Sequence, residues 1–230
     1  MYDYHRRVLV TGFGPFGTFK ENPSWLAVKT LHDTILNPKQ KSIHVTSLNI
    51  PTVYSAVLDT VPGLHSAPPV LPEKYTSPIS LPLPDEGFDL IIHVGVAGPG
   101  NLHVERLAHK TGYALPDYDK QPPPLVNTKG TLRGFGGPRY GAEFADEIFT
   151  SIDVDKLVRE LTTGPKPVSV QTSDDAGRYL CDFIYYCSLA ESQREGRGCP
   201  VLFVHCPPVG NMLSTEEVAE GLKRIIIASL

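Results

Sequence analysis

The stretch VSVQTSDDAGRYLCDFIYYC, residues 168–187, joins a strand-like run to a helical pattern. The β-branched start predicts a strand over Val168–Gln171. The segment Ser173–Asp175 contains residue types that cap helix N-termini, so we predict a helix over Asp175–Ala190. One apolar stripe of that helix follows the i, i+3, i+4, i+7 spacing and consists of Leu180, Phe183, Ile184 and Cys187. A strand running directly into a helix is the repeating unit of α/β folds.

The same alternation continues along the chain on both sides of this unit. We predict the other strands over Arg7–Thr11, Ser42–Ile50, Phe88–Val94 and Val201–His205. We predict the other helices over Pro23–Leu36, Pro51–Val61, Asp153–Leu161 and Thr215–Ala228. We therefore expect residues 1–230 to form a single α/β domain, with a mostly parallel twisted sheet and helices on both faces.

Two stretches interrupt the alternation. Residues 62–84 contain seven prolines, and residues 112–141 are rich in glycine and proline. We expect both to be long loop insertions, because neither shows a helical or strand period.

Composition excludes several classes of protein. The net charge is −4 and no Lys/Arg run is present, which disfavours nucleic acid and membrane surfaces as partners. Four cysteines in 230 residues do not make a disulfide framework. The first ten residues are too poor in apolar side chains for a signal peptide. We expect a cytoplasmic protein with free thiols.

Cys181 and His205 form a candidate nucleophile and base. Cys181 lies near the predicted helix start, where the helix dipole favours the reactive thiolate. His205 ends an apolar strand that Pro207 and Pro208 terminate, at the sheet edge where α/β proteins bind ligands. A cysteine nucleophile needs a histidine that is close in the fold. Taken alone, Cys181 would be an ordinary half-buried helix cysteine.

Residues 12–17 match the dinucleotide pattern G-x-G-x-x-G after the first strand. The match is not a fingerprint, because the predicted helix begins several residues later and the second strand ends in Asn49-Ile50 without an acid. We expect no nicotinamide or flavin cofactor. The turn instead presents Phe13 and Phe16, which either cap the core or form an aromatic pocket for a flat, uncharged group.

Three separated segments resemble the pyroglutamyl-peptidase I family, cytosolic cysteine peptidases that remove an N-terminal pyroglutamyl residue. They are TGFGPFG (11–17) with NPSW (22–25), SDDAGRYLCD (173–182) and FVHCPP (203–208). Their order matches the family across nearly the whole chain, and the cysteine segment is most similar to the animal and fungal branch. The resemblance implies a phosphorylase/hydrolase-type α/β fold and N-terminally pyroglutamylated peptides as substrates.

The resemblance also implies a role for each candidate residue. Cys181 would attack the carbonyl to form a thioester, with its own backbone N–H as an oxyanion donor. His205 would act as general acid and base, and Glu105, in the segment ERLA, would orient it. Without the resemblance, Glu105 would be a solvated strand-edge carboxylate. Phe13 and Phe16 would sandwich the pyroglutamate ring, and Asn22 would order their loop.

The chain departs from the bacterial members in two places. Val96 and Gly100 stand where those members have a glutamine and an arginine, and Ala114 stands where they have another arginine. These differences concern substrate contacts and rate more than the reaction. The animal branch departs in both places as well.

Three other interpretations are less consistent with the sequence. An inactive relative that only binds pyroglutamyl groups would not need Cys181, His205 and Glu105. A nucleoside phosphorylase would need a basic phosphate site, which the sequence does not present. A metal site built from Cys199, His205 and Cys206 is disfavoured, because adjacent strand residues point to opposite faces. The sequence leaves open whether the chain forms homo-oligomers.

Overall fold

The computed structural model describes residues 6–37, 41–71, 82–194 and 198–230. Its strands are β1 Arg6–Phe13, β2 Thr34–Leu36, β3 Ile43–Ile50, β4 Leu90–Val96, β5 Leu102–Glu105, β6 Leu107–His109, β7 Glu147–Phe149, β8 Val170–Ser173 and β9 Val201–Cys206. Its α-helices are α1 Pro23–Val28, α2 Tyr54–Leu64, α3 Val154–Thr163, α4 Leu180–Ser192 and α5 Thr215–Ala228. No helix of these four segments has the length and apolar character needed to cross a membrane.

Seven strands form one sheet in the order β2-β3-β1-β4-β9-β5-β8, and β6 pairs with β7 separately. The pairs β3–β1, β1–β4, β4–β9 and β5–β8 are parallel. The edge strand β2 is antiparallel to β3, and β5 is antiparallel to β9. The prediction of a mostly parallel sheet in one α/β domain is confirmed, with two antiparallel pairings that it did not include.

The sheet is covered on both faces, as predicted. Helices α2 and α4 pack on one face over a core that includes Leu9, Ile91 and Phe203. Helices α1, α3 and α5 pack on the other face over a core that includes Val10 and Val204. Alternate residues of each strand therefore enter different cores. His205 lies two residues after Phe203 in β9, so its side chain points to the same face of the sheet, the face that α4 covers.

Helix α5 begins and ends at the predicted residues. Ser214 and Glu217 form a reciprocal capping box that fixes its start. The predicted helix Pro23–Leu36 is wrong in its second half. Helix α1 ends at Val28, a 3-10 turn follows, and the chain then reverses at Asp33, whose φ is 59°. The β-branched residues after this reversal join the sheet edge as β2 instead.

The helix that carries Cys181 begins five residues later than predicted. Residues after β8 form a turn in which the Gly177 backbone N–H donates to the Asp175 carboxylate, and Gly177 has a φ of 83°. Only glycine adopts this conformation without strain. The acidic residues therefore order a turn rather than a helical first turn, and Cys181 becomes the second residue of α4.

The remaining differences concern connections and short strands. Helix α2 starts at Tyr54 rather than Pro51, because the buried Asp117 carboxylate accepts from the Tyr54 backbone N–H. The expected loop 62–84 begins within α2, and its residues 72–81 lie outside the described residues. The expected loop 112–141 contains only isolated bridges, and its Phe135 anchors it in the α4 core. Strands β2, β5, β6 and β7 were not predicted.

Candidate active site

Cys181 lines a partly open cavity together with His205. It is half-buried in the first turn of α4, where backbone N–H groups have no partner within the helix. Burial raises the pKa of Cys187, Cys199 and Cys206 to about 12, so these three remain thiols at neutral pH. Cys181 is therefore the candidate nucleophile among the four cysteines.

Gly95 of β4 lets the Cys181 side chain rest directly on the end of the sheet. A Cβ atom at Gly95 would lie 2.6 Å from Cys181 Sγ and 2.8 Å from the ring of Phe203. Real Cβ atoms do not approach other atoms so closely. A glycine at this position is therefore required for the observed position of the thiol.

His205 connects Cys181 to Glu105. His205 Nδ1 lies 2.7 Å from Glu105 Oε1, and both side chains are buried. Because Nδ1 contacts the carboxylate, Nε2 is the ring nitrogen left available to the Cys181 side chain, which lines the same cavity. Burial by itself lowers the pKa of His205, but the interactions with Cys181, followed by those with Glu105, outweigh burial and raise it. This arrangement favours the charged imidazolium form of His205.

Glu105 is not the solvated strand-edge carboxylate that its local sequence suggests. It ends β5, which lies between β9 and β8, and it is 0% exposed. The antiparallel register places Glu105 opposite Phe203, two residues before His205. The acid therefore approaches the imidazole from the interior of the protein.

The crevice beside Cys181 is formed where two neighbouring strands separate. Strand β1 pairs with β4 only as far as Thr11 and His93, whereas it pairs with β3 up to Phe13. Diverging strand ends are the usual ligand site of α/β sheets. A cavity of about 170 Å³ occupies this position, lined by Phe13, Phe16, Asn22, Thr52, Val96, Ala176, Tyr179, Leu180, Cys181 and His205.

The glycine-rich turn after β1 forms one wall of this cavity. Phe13 is buried against the core, while Phe16 is half-buried and its ring lies 5.6 Å from that of Tyr179. Asn22 fastens the turn: its Nδ2 donates to the Gly14 carbonyl and its Oδ1 accepts from Ser24 at the start of α1. The turn is thereby tied to the helix that follows it.

The structure brings all six predicted site residues together. Five line the cavity, and Glu105 lies behind His205. Sequence reasoning missed Thr52 and Tyr179. Thr52 lies just after the end of β3, and Tyr179 lies just before the start of α4. Their positions at a strand end and a helix start are the sequence features that could have indicated a place in the site. Val96 presents an aliphatic side chain to the cavity.

A metal centre finds no support in the part of the chain that the structure describes. Within those residues, no group of three or more His, Cys, Asp or Glu side chains could hold an ion. Cys206 belongs to the core on the opposite face of the sheet from His205. The lining of the cavity is mostly apolar and includes the Cys181 thiol and the His205 imidazole.

Comparison with known proteins relates the chain to one family throughout its length. The family model for pyroglutamyl peptidase matches residues 6–222. Human pyroglutamyl-peptidase 1 is 34% identical over 223 residues, which cover 96% of this chain and 88% of the human protein. A pyrrolidone-carboxylate peptidase of Bacillus licheniformis is 27% identical over 238 residues, covering 97% of this chain and 92% of the bacterial protein.

Solved structures agree with these sequence relatives in fold. The crystal structure of pyroglutamyl peptidase I from Bacillus amyloliquefaciens superimposes with a TM-score of 0.73 at 23% identity, covering 98% of this chain and 95% of that one. The pyrrolidone carboxyl peptidase from Thermococcus litoralis gives 0.70 at 20% identity, covering 97% and 93%.

Proposed function

The chain belongs to the pyroglutamyl peptidase family, and on that premise we propose that it is a cysteine exopeptidase that removes N-terminal pyroglutamate from peptides. The observation that carries the proposal is that His205 and Cys181 line the same cavity, while His205 Nδ1 is hydrogen-bonded to the buried Glu105. This arrangement of nucleophile, base and orienting acid supports acyl transfer through a thioester.

In the proposed first step, Cys181 Sγ attacks the carbonyl carbon that joins the pyroglutamyl ring to the next residue. The peptide C–N bond breaks, His205 Nε2 gives its proton to the departing amine, and a thioester remains on Sγ. Developing negative charge on the carbonyl oxygen lies near the start of α4, where the Cys181 backbone N–H can donate to it.

In the proposed second step, neutral His205 removes a proton from water through Nε2. The resulting hydroxide attacks the thioester, releasing pyroglutamic acid and restoring the thiolate beside the imidazolium. Glu105 keeps its contact with His205 Nδ1 throughout, which fixes the tautomer and stabilises the charged ring.

Recognition in this proposal depends on the aromatic walls of the cavity. Pyroglutamate has no free α-amine, so its site needs no anion to pair with an ammonium. Phe13 and Phe16 would hold the flat ring, and Asn22 would keep their turn in place through its bonds to Gly14 and Ser24. The cavity is small and mostly apolar, which suits an uncharged lactam.

We assign the substrate as N-terminally pyroglutamylated peptides and the compartment as the cytoplasm, with residues 1–230 acting as one catalytic unit. All four cysteines are unpaired, which fits a reducing compartment. The proposal requires no cofactor and no second copy of the chain, because one chain contributes every proposed catalytic group.

The test is hydrolysis of pyroglutamyl-7-amido-4-methylcoumarin in reducing buffer, beside the prolyl derivative as the matched control. Prolyl has the same ring size but a charged secondary amine in place of the lactam. We expect release of coumarin from the pyroglutamyl compound only. A folded, reduced protein that cleaves neither compound would contradict the proposal and favour a pyroglutamyl-binding relative without activity.

A further inference from the structure

Asp182 follows the proposed nucleophile in α4 and is completely buried, yet no step of the proposed reaction uses it. Its Oδ1 lies 3.2 Å from both the backbone N and the Nδ1 of His109. Its Oδ2 lies 2.8 Å from the hydroxyl of Tyr113. Both partners belong to the segment 109–113, which leads from β6 into the long loop. Asp182 therefore joins this segment to the first turn of the helix.

The number of hydrogens available at Tyr113 indicates the protonation state of Asp182. The Tyr113 hydroxyl oxygen also lies 2.5 Å from the carbonyl oxygen of His109. A tyrosine hydroxyl has one hydrogen, and a carbonyl oxygen can only accept. If Asp182 were ionised, the two short contacts of the Tyr113 hydroxyl would have only one hydrogen between them. One of these contacts would then bring together two oxygen atoms that can only accept.

A proton on Asp182 gives every contact in the cluster a hydrogen. Asp182 Oδ2–H then donates to the Tyr113 oxygen, and Tyr113 donates to the His109 carbonyl. The backbone N–H and Nδ1–H of His109 both donate to Asp182 Oδ1. Buried polar groups cost stability when they lack a partner, so the protonated form is the favourable one here.

The surroundings of Asp182 also favour its protonated form. Burial raises the pKa of Asp182, and the hydrogen bonds of His109 and Tyr113 and the more distant Arg178 reduce that rise without reversing it. Burial also raises the pKa of Tyr113, so its hydroxyl stays protonated. The titratable and charged groups that act on the cluster from the packed elements are Tyr54 on α2, Tyr185 on α4, Arg178 before α4, His109 on β6, Tyr113, and Glu147 on β7, whose carboxylate is 3.7 Å from His109 Nε2.

The cluster joins the two chain segments that hold the proposed catalytic groups. His109 lies four residues after Glu105, and Asp182 is adjacent to Cys181. A neutral Asp182 in this position ties the two segments together through hydrogen bonds alone.

We propose that Asp182 is a positioning residue that keeps its proton at neutral pH and, as a neutral donor and acceptor, clamps the segment 109–113 to the first turn of the Cys181 helix. The proposal rests on the proposed function, because the position that it fixes is that of the nucleophile.

The test compares Asp182→Asn with Asp182→Ala, using hydrolysis of pyroglutamyl-7-amido-4-methylcoumarin from about pH 5 to about pH 8. The asparagine amide accepts from His109 and donates to Tyr113 as the protonated acid does, so kcat/KM should stay within about threefold of wild type and follow the same pH profile. Alanine removes both contacts, and kcat/KM should fall at least about tenfold. Asp85→Asn, at an exposed site, controls for the loss of one formal negative charge.

A second readout does not depend on turnover. The rate at which iodoacetamide alkylates Cys181, followed by mass spectrometry, should be the same in wild type and Asp182→Asn and lower in Asp182→Ala. This measurement tests the clamp even if the wild type proves inactive, so failure of the clamp and failure of the proposed function are distinguishable. Should Asp182→Ala not fold, Tyr113→Phe removes the central hydroxyl instead and should reduce both rates.

Two outcomes would overturn the proposal. In the first, Asp182→Asn loses as much activity as Asp182→Ala, or kcat/KM of the wild type rises with pH while that of Asp182→Asn does not. Either result would mean that an ionised carboxylate is required. Wild-type rates in both Asp182 variants would mean that the residue positions nothing.

Discussion

The two cysteines of α4 are six residues apart on one helix, and their surroundings differ in every respect that matters for reactivity. Cys181, at the start, is half-buried in a cavity that His205 also lines. Cys187, in the middle, is completely buried, and its sulfur lies 3.2 Å from the Tyr140 hydroxyl. Reactivity therefore follows from the partner and the access to solvent, not from the residue type or the helix.

The two buried acids of the same helix differ in a similar way. Glu191 accepts from Arg139, Arg194 and the Tyr140 hydroxyl, and these bonds outweigh burial and lower its pKa. Asp182 instead accepts from His109 and contacts the Tyr113 hydroxyl, with no arginine of the described segments among its hydrogen-bond partners, and its pKa is raised by burial. The start of α4 therefore carries the proposed nucleophile, whereas its end carries a structural ion-pair cluster.

The largest expected effect separates the two cysteines. Cys181→Ala removes the proposed nucleophile and should lower kcat by at least about a thousandfold. Cys187→Ala should keep kcat within about twofold, because its thiol does not reach the cavity, and should cost about 1–2 kcal/mol of stability as a small cavity. Coumarin release and thermal unfolding measure the two effects. Equal loss of activity in both variants would show that Cys181 is not distinguished from Cys187 as the nucleophile.

The next effect separates two buried glutamates. Glu105→Gln keeps the size of the side chain but not its charge, so the imidazolium loses its support and kcat should fall about 10²- to 10⁴-fold. Glu191→Gln, distant from the cavity, should leave kcat unchanged. Steady-state kinetics of both variants at neutral pH tests this. A Glu105→Gln enzyme with wild-type kcat would show that His205 needs no charged partner.

Glu191→Ala should lower the stability of the protein and leave kcat unchanged. It leaves Arg139 and Arg194 without their shared carboxylate and should cost about 2–3 kcal/mol, reduced from the value for fully buried pairs because both arginines are partly exposed. Urea unfolding at neutral pH, with Glu143→Ala at an exposed site as the control, measures this cost.

The pH dependence of the same cluster has a definite sign. Because the pKa of Glu191 is lower in the folded chain, its contribution is present above the unfolded value of about 4.3 and is lost as the pH falls below it. Wild-type stability should therefore decrease more than that of Glu191→Ala between about pH 5 and about pH 3. Parallel curves would show that Glu191 is not stabilised as an anion.

The smallest effect concerns Tyr140. Its hydroxyl donates to Glu191 Oε1 at 2.9 Å and contacts Cys187. Tyr140→Phe keeps the ring against Phe135 and removes only these contacts, so we expect a loss of about 1 kcal/mol and no change in kcat. A substantial loss of activity would mean that the far end of α4 communicates with Cys181.

The sequence predicted elements well where local signals and tertiary structure agree. Strands β1, β3, β4 and β9 are strand-length segments with several buried apolar residues each, and α5 has a capping box at its start. The segment Leu102–Glu105 shows no such signal, because it has only four residues and becomes a strand through its pairing with β8 and β9. Local sequence therefore could not predict that Glu105 is buried.

The candidate site was predicted through resemblance more than through local pattern. Cys181 and His205 stand at a helix start and a strand end, positions that physical rules recognise. Glu105 was identified by the segment ERLA alone. Thr52 and Tyr179 were missed because their place in the cavity depends on how β1 and β4 separate, which no single stretch of sequence determines.

The position of β9 has a consequence for the newly synthesised chain. It is the last of the described strands along the chain, yet it lies between β4 and β5 in the sheet. While a ribosome has produced only the chain up to Pro200, the two halves of the sheet have no strand to join them and His205 has not been made. Such a chain lacks the proposed base for Cys181 until β9 has been made. Stalled chains ending at Pro200 should hydrolyse no pyroglutamyl substrate, and activity should first appear when α5 has left the exit tunnel.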